Sequence, residues 1–134
     1  MVFANFFKKL LERRRPLSER TKAEIGRDGE NAAAKLLEHK GFDVIERNWS
    51  CKFGEVDLIC RDRSAWVFVE VKASHKLSAA PPEFRVNWEK RRRLRRLARY
   101  YLGHKFETIP YRFDVISVWW ENDQVRTRHY ENAF

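Results

Sequence analysis

Three consecutive stretches constrain the fold most. Trp66 to Lys72 reads as a strand, about Arg85 to Gly103 as a strongly basic helix, and Tyr111 to Trp120 as another strand. A chain that passes from strand through helix to strand makes a right-handed crossover and lays the second strand parallel to the first. Around this unit lie a helix at about Thr21 to Lys40, strands at Phe42 to Trp49 and Val56 to Cys60, and a last strand at Val125 to Tyr130. Gly41 suits the residue just past a helix end, and Ser18 is a candidate cap for the helix that precedes it. Residues 61–65 and 121–124 read as turns, and residues 73–84 have loop composition. The expected fold is α/β, a mixed five-stranded sheet flanked by helices.

The start of the chain stands apart. Phe3, Phe6, Phe7, Leu10 and Leu11 form one helical stripe, with Lys8, Lys9, Glu12 and Arg13 opposite, and Arg15-Pro16 ends it. We read residues 1–20 as an amphipathic helix with its linker and residues 21–134 as one domain, in the order α-α-β-β-β-α-β-β. The first helix suits packing on the domain, on a second copy, on a partner or on a membrane surface.

Strand side chains alternate between faces. Val67, Val69 and Val71 therefore share one face of the third strand, and Trp66, Phe68, Glu70 and Lys72 the other. A Glu and a Lys in an otherwise apolar strand need a reason. In the second strand Glu55, Asp57 and Ile59 share a face, opposite Val56 and Leu58. A tight hairpin that sets Asp62 against Ala65 would put Asp57 opposite Glu70. Facing carboxylates repel unless something positive lies between them. Lys72 is one candidate and a divalent metal the other, since Mg²⁺ favours one or two carboxylates with water and phosphate oxygens. On the 21–40 helix, Ala23, Gly26, Ala33 and Leu37 form a small-residue stripe with Glu30 in its middle, aimed at the sheet. Asp114 reads as a structural partner rather than a ligand.

The charge is segregated. The 134 residues hold 28 Lys and Arg against 19 Asp and Glu, a net of +9. Residues 85–105 carry +8 and residues 1–20 carry +4, leaving −3 for the rest. Such a balance suits a polyanionic partner, most simply nucleic acid. On the basic helix Leu94, Leu97, Ala98 and Tyr101 form the apolar stripe, joined at its start by Trp88 or Lys90. Lys90, Arg91, Arg92, Arg95, Arg96 and Arg99 are the candidate phosphate contacts, with Lys90 alternatively turned towards the acids. Trp49, Trp66, Trp88, Trp119 and Trp120 suit the core, though an exposed one could stack on a base. Cys51 and Cys60 are too few for a disulfide framework and have no ligand-spaced partners, as in a reduced, cytoplasmic protein. No apolar run reaches the ~18–20 residues of a membrane span, so integral membrane association is not expected.

Gly54-Glu55-x-Asp57, twelve residues, then Glu70-x-Lys72 resembles the PD-(D/E)xK nuclease superfamily. The ordered set Gly26-x-x-Gly29-Glu30-x-x-Ala33, Arg47-Asn48-Trp49, GEVDLI (54–59), FVEVK (68–72), Lys90 with LARYYL (97–102), and RFDVI (112–116) resembles more closely the YraN-like family of predicted endonucleases. That family is related in fold to archaeal Holliday junction resolvases. The likeness covers about residues 22–118. It implies a restriction-endonuclease-like core and divalent-metal-dependent hydrolysis of phosphodiester bonds in structured or branched DNA, with Mg²⁺ or Mn²⁺. By the same likeness Asp57 and Glu70 are metal ligands, Lys72 is the catalytic lysine and Glu30 an accessory acid. A one-site nuclease that cuts both strands of a duplex needs two copies, which makes a homodimer an option. The alternative is a non-catalytic nucleic-acid-binding module that keeps the same fold.

Overall fold

The computed structural model describes residues 15–75 and 87–134. The expected helix at 3–14 and most of the expected loop at 73–84 lie outside the described residues. A short 3₁₀ turn at Leu17–Glu19 leads into helix α1, Lys22–His39. Its cap is Thr21 and not Ser18. The Thr21 hydroxyl accepts from the Glu24 N–H at 3.2 Å while the Glu24 carboxylate accepts from the Thr21 N–H at 2.8 Å. This reciprocal box needs an acid or amide three residues after the cap, which Thr21 has and Ser18 lacks. Gly41, at φ 91°, turns the chain out of the helix.

Five strands follow: β1 Asp43–Cys51, β2 Gly54–Asp62, β3 Ala65–Ala73, β4 Tyr111–Glu121 and β5 Gln124–Tyr130. They form one mixed sheet in the order β1-β2-β3-β4-β5. Only β3 and β4 are parallel, joined through helix α2, Trp88–Leu102, as the strand–helix–strand pattern requires. Asn87 caps α2 by accepting from the Lys90 N–H at 2.8 Å, so the helix begins later than the basic run suggests. Gly103, at φ 59°, ends it, and an unanticipated 3₁₀ turn occupies Gly103–Glu107. The β2–β3 turn is only Arg63-Ser64, and Asp62 pairs with Ala65 as expected.

The sheet separates two cores. On one face α1 packs Ala33, Ala34 and Leu37 against Leu58, Cys60, Val67, Val69, Ile116 and Val118. On the other, α2 packs Leu94, Leu97, Ala98 and Leu102 against Val56, Ile59, Phe68 and Phe113. Leu102 is the buried end of the α2 stripe, and Tyr101 is only half-buried. In β3 the alternation is as expected, with Val67 and Val69 on the α1 face and Phe68 on the α2 face.

In β2 it is not. Val56 lies in the α2-side core and Leu58 in the α1-side core, although they were expected on one face. The alternation slips at Asp57. Opposite it, the β1–β2 pairing steps from Arg47↔Leu58 to Trp49↔Val56 across Asn48, whose backbone is left-handed at φ 50°. Asparagine tolerates that region better than most residues.

Candidate active site

The break in β2 opens the sheet. Pairing between β2 and β3 runs from Asp62↔Ala65 to Leu58↔Val69 and stops, although both strands continue. On its other side β3 remains paired with β4 as far as Ala73↔Val118. Asp57 enters the parting between β2 and β3, where its Oδ2 accepts the Val71 N–H at 2.7 Å. A side chain thus satisfies a strand amide that a neighbouring strand would otherwise take.

Glu70 and Lys72 stand beside this parting on the α2 face. Glu70 is only 9% exposed. The ammonium of Lys90, in the first turn of α2, hydrogen-bonds Glu70 Oε1, and Lys72 Nζ lies 3.6 Å from the same oxygen. Lys90 is therefore turned towards the acids and away from the exposed arginines. Burial and then the Glu70 carboxylate push Asp57 up to about 7, with Glu30 adding to the shift and the Val71 N–H opposing it. Burial, reinforced by neighbouring Lys90, lowers the Lys72 ammonium. Burial also acts to lower Lys90, but its bonds to Glu70 and Lys72 outweigh this and hold it above the ordinary value. The cluster is thus acids and lysines that depend on one another's charge.

Glu30 comes from the opposite layer. The stripe that α1 buries is Ile25, Gly29, Ala33 and Leu37, while Ala23 is exposed. Gly29, not Gly26, is the close-approach residue: a Cβ there would lie 2.4 Å from the Cβ of Ala73, whereas one at Gly26 meets nothing within 4 Å. Glu30 borders the buried stripe, half-buried, instead of occupying its centre. It lines a cavity of about 400 Å³ together with Val71, Lys72 and Ser74, and its charge reaches Asp57. Asp57, Glu70 and Lys72 therefore gather at the parting with Lys90, while Glu30 lies on the α1 side, near enough for its charge to reach Asp57.

Among the described residues, no group of three or more His, Cys, Asp and Glu is assembled as a metal cage. The narrower test is the donor chemistry of Asp57 and Glu70. They are hard oxygen donors, mutually repelling and largely removed from water. Such a pair fits Mg²⁺ or Mn²⁺, which are content with one or two carboxylates completed by water or phosphate oxygens.

The arginines of α2 fan out around the helix. Arg92 lies over the Trp88 ring at 5.3 Å, Arg96 over Phe53 at 5.7 Å, and Arg99 over Phe106 at 4.9 Å. Arg91 lies over Phe134 at 5.4 Å, and Arg95 is exposed. Of the five tryptophans, Trp119 is buried, Trp49, Trp66 and Trp120 are half-buried, and Trp88 is 68% exposed.

A second ionic cluster holds β4 and β5 together. Asp114 is fully buried and accepts from Arg112 Nε at 3.0 Å and the Asn132 N–H at 2.9 Å, with His129 Nε2 at 2.7 Å. Lys40 Nζ lies 2.9 Å from His129 Nδ1, and Arg112 also reaches Asp62 at 3.1 Å. Burial alone would push the Asp114 carboxyl up, but the bonds from His129, Arg112 and Asn132 outweigh it and hold it below the usual carboxylate range. This cluster is structural. Neither the His129 partnership nor the Lys90–Glu70 pair is fixed by local sequence, although the position of Lys90 at the start of the α2 stripe hints at the second.

A model described as the uncharacterised protein family UPF0102 matches residues 29–118. A UPF0102 protein of Thermodesulfovibrio yellowstonii is 39% identical over 111 residues, covering 83% of this chain and 96% of its own. One of Rhodopirellula baltica is 45% identical over 118 residues, covering 84% and 71%. One of Caldicellulosiruptor saccharolyticus is 36% identical over 116 residues, covering 84% and 98%. The matched stretch contains Glu30, Asp57, Glu70, Lys72 and Lys90.

Proposed function

The chain belongs to the UPF0102 family, and from that premise we propose that it is a divalent-metal-dependent endonuclease of the PD-(D/E)xK type, with a restriction-endonuclease-like core. The observation that carries the reading is Asp57. It sits where one strand leaves the sheet, and burial, then the nearby Glu70 carboxylate and to a smaller extent Glu30, raise its carboxyl to about 7. Acids brought together in that way beside a cavity are what phosphoryl chemistry uses.

Asp57 and Glu70 would hold Mg²⁺ or Mn²⁺, which when bound supplies Lewis-acid polarisation of a phosphate and a more acidic water. The protein's own groups do the rest. The Val71 N–H fixes one oxygen of Asp57, and the other would be the one to meet the metal. Lys72, its ammonium lowered by burial and Lys90, can hold a water or give a proton to a developing alkoxide. Lys90 orients Glu70 and adds positive charge where negative charge would accumulate on a scissile phosphate. Glu30 closes the α1 side of the cavity and can accept a hydrogen bond from a water placed there. The exposed arginines of α2 would hold the strand by its phosphates. DNA with a branched or otherwise structured backbone is the proposed substrate, cut in the cytoplasm, and a homodimer would place two such sites on one duplex.

Incubation with branched, duplex and single-stranded DNA in Mg²⁺ or Mn²⁺ tests the reading. Wild type should cleave at least one of them, and Asp57→Ala and Lys72→Ala should not. Equal cleavage by Asp57→Ala and wild type would sink it.

One observation favours a second reading, a nucleic-acid-binding module without catalysis. The Glu70 oxygen is already satisfied by two lysines, so the cluster is neutralised without a metal. Calorimetric titration with Mn²⁺ separates the two. Binding lost in Glu70→Ala supports the nuclease, and no binding by wild type supports the module.

A further inference from the structure

We propose that the groove between the β1–β2 turn and α2 is a binding site for an unpaired nucleic-acid strand, with Trp88 as the platform on which one base stacks. The proposal rests on the nucleic-acid reading above and adds to it a site apart from the acids and a preference for unpaired over duplex substrate.

The groove has a volume of about 470 Å³ and is lined by Lys52, Phe53, Trp88, Arg92, Arg93 and Arg96. Four cations face one acid there, Glu89. Among the described residues, no carboxylate holds Lys52, Arg92, Arg93 or Arg96 in an ion pair. Three of them lie over aromatic rings instead. Lys52 Nζ is 5.3 Å from the Phe53 centroid and 5.7 Å from that of Tyr100, while Arg92 and Arg96 cover Trp88 and Phe53. Among the described residues, the four cations of the groove are therefore left without a carboxylate ion pair.

Trp88 contributes little to the fold. It is 68% exposed, and α2 buries Leu94, Leu97, Ala98 and Leu102 instead. A largely exposed flat ring beside guanidinium groups that no described carboxylate pairs is the combination that binds single strands, where aromatic side chains take the bases and cations follow the phosphates. A duplex would engage the cations but has no base free for the ring. An acidic peptide would likewise use the cations and leave the ring idle.

The groove is also adjacent to the acids. Arg93 Cδ lies 3.1 Å from where a Gly54 Cβ would be, so the groove wall abuts the start of β2. Asp57 is three residues further along β2, about 10 Å at the rise of an extended strand. Trp88 and Lys90 share the first turn of α2, one turned to the groove and the other to Glu70. An unpaired strand seated on Trp88 would enter the parting of β2 and β3 directly.

Fluorescence anisotropy of the full chain in EDTA, at fixed salt, provides the test, with labelled oligothymidine and a hairpin duplex of similar size as probes. Wild type should bind oligothymidine more tightly than the duplex. Trp88→Ala should weaken oligothymidine binding about tenfold or more, the scale of one base–aromatic stack, and leave duplex binding little changed. Trp88→Phe should restore most of the loss, which a mere packing role at an exposed site would not require. Equal losses on both probes, no loss on either, or displacement of oligothymidine by polyglutamate as readily as by unlabelled oligothymidine would overturn the proposal. Cleavage plays no part in this assay, so an inactive enzyme leaves the site standing. Binding of neither probe by wild type would overturn both the site and the nucleic-acid reading. Binding of both with Trp88→Ala unaffected would overturn the site alone.

Discussion

At Asp57 folding and chemistry make opposite demands. Its oxygen satisfies Val71, but its charge faces Glu70 and Glu30. In Asp57→Asn the amide oxygen can still accept that N–H, and the repulsion is gone. In a chelator at neutral pH this variant should be more stable than wild type by on the order of 1 kcal/mol after solvent screening, while cleaving nothing. Chemical denaturation measures it, and a less stable Asp57→Asn would refute the repulsion. Asp114 is the opposite case, an acid that the fold satisfies completely. Its carboxyl is lowered in the folded state, so its stabilisation is present above the unfolded value of about 4 and is lost as pH falls through the folded value. Asp114→Asn should cost about 3 kcal/mol at neutral pH, the scale for breaking a buried charge cluster, and the gap to wild type should narrow in acid. Denaturation curves at neutral and acid pH check this, and a constant gap would refute it. The two acids also differ in how they read from sequence. Glu70 and Lys72 stand out because strand alternation makes their positions anomalous. The hairpin register points to Asp57, but the expected Asp57↔Glu70 pair does not form, because pairing stops at Leu58↔Val69 and Asp57 takes the Val71 N–H instead. His129 does not stand out as the partner of Asp114, because their meeting depends on the Ile116↔His129 register of β4 with β5.

Elements meet at this site because α1 lies close to β3, and Gly29 is what permits it. Gly29→Ala would force the helix away from Ala73 and should destabilise by about 1–3 kcal/mol, as overpacking does. Gly26→Ala, with open space around it, should stabilise by roughly 0.5–1 kcal/mol through helix propensity. Denaturation of the two variants side by side distinguishes a contact effect from a glycine effect; equal shifts would mean that the approach at Ala73 is not tight. Sequence places α1 and its small-residue face, but a stripe of Ala and Gly reads almost equally well one residue away, and only the contact with Ala73 selects Gly29. The break in β2 is less legible still. Alternation predicts a regular strand, and nothing in the sequence of β2 announces that Val56 lies on the other face, beside a left-handed Asn48 on the neighbouring strand. The helix α2 is legible throughout its middle because its leucines repeat with helical period; its start is set by the Asn87 cap and not by the arginines, which carry no boundary signal.

Across the whole molecule, charge is divided as the sequence suggests, with the basic groups of α2 standing outside a sheet that carries the acids. If those groups hold phosphates, affinity should fall steeply with salt. Replacing Arg92, Arg93 and Arg96 together with Gln should flatten the slope of log affinity against log salt by about two to three, one released counterion for each lost contact. An unchanged slope would move the phosphate contacts elsewhere. The overall architecture was legible because β1 to β3 and β4 with β5 are each joined by short local turns. What ties them is one parallel seam, from Trp66↔Tyr111 to Ala73↔Val118. The crossover that makes this seam also divides two vocations of the chain. The residues that would react, Glu30, Asp57, Glu70 and Lys72, lie on α1, β2 and β3, ahead of the crossover, and the arginine-bearing helix is the crossover itself. Mutations that retune what is gripped can therefore accumulate in the later half while the reacting half stays as it is, so that lineages sharing one chemistry can diverge in the strands they seize.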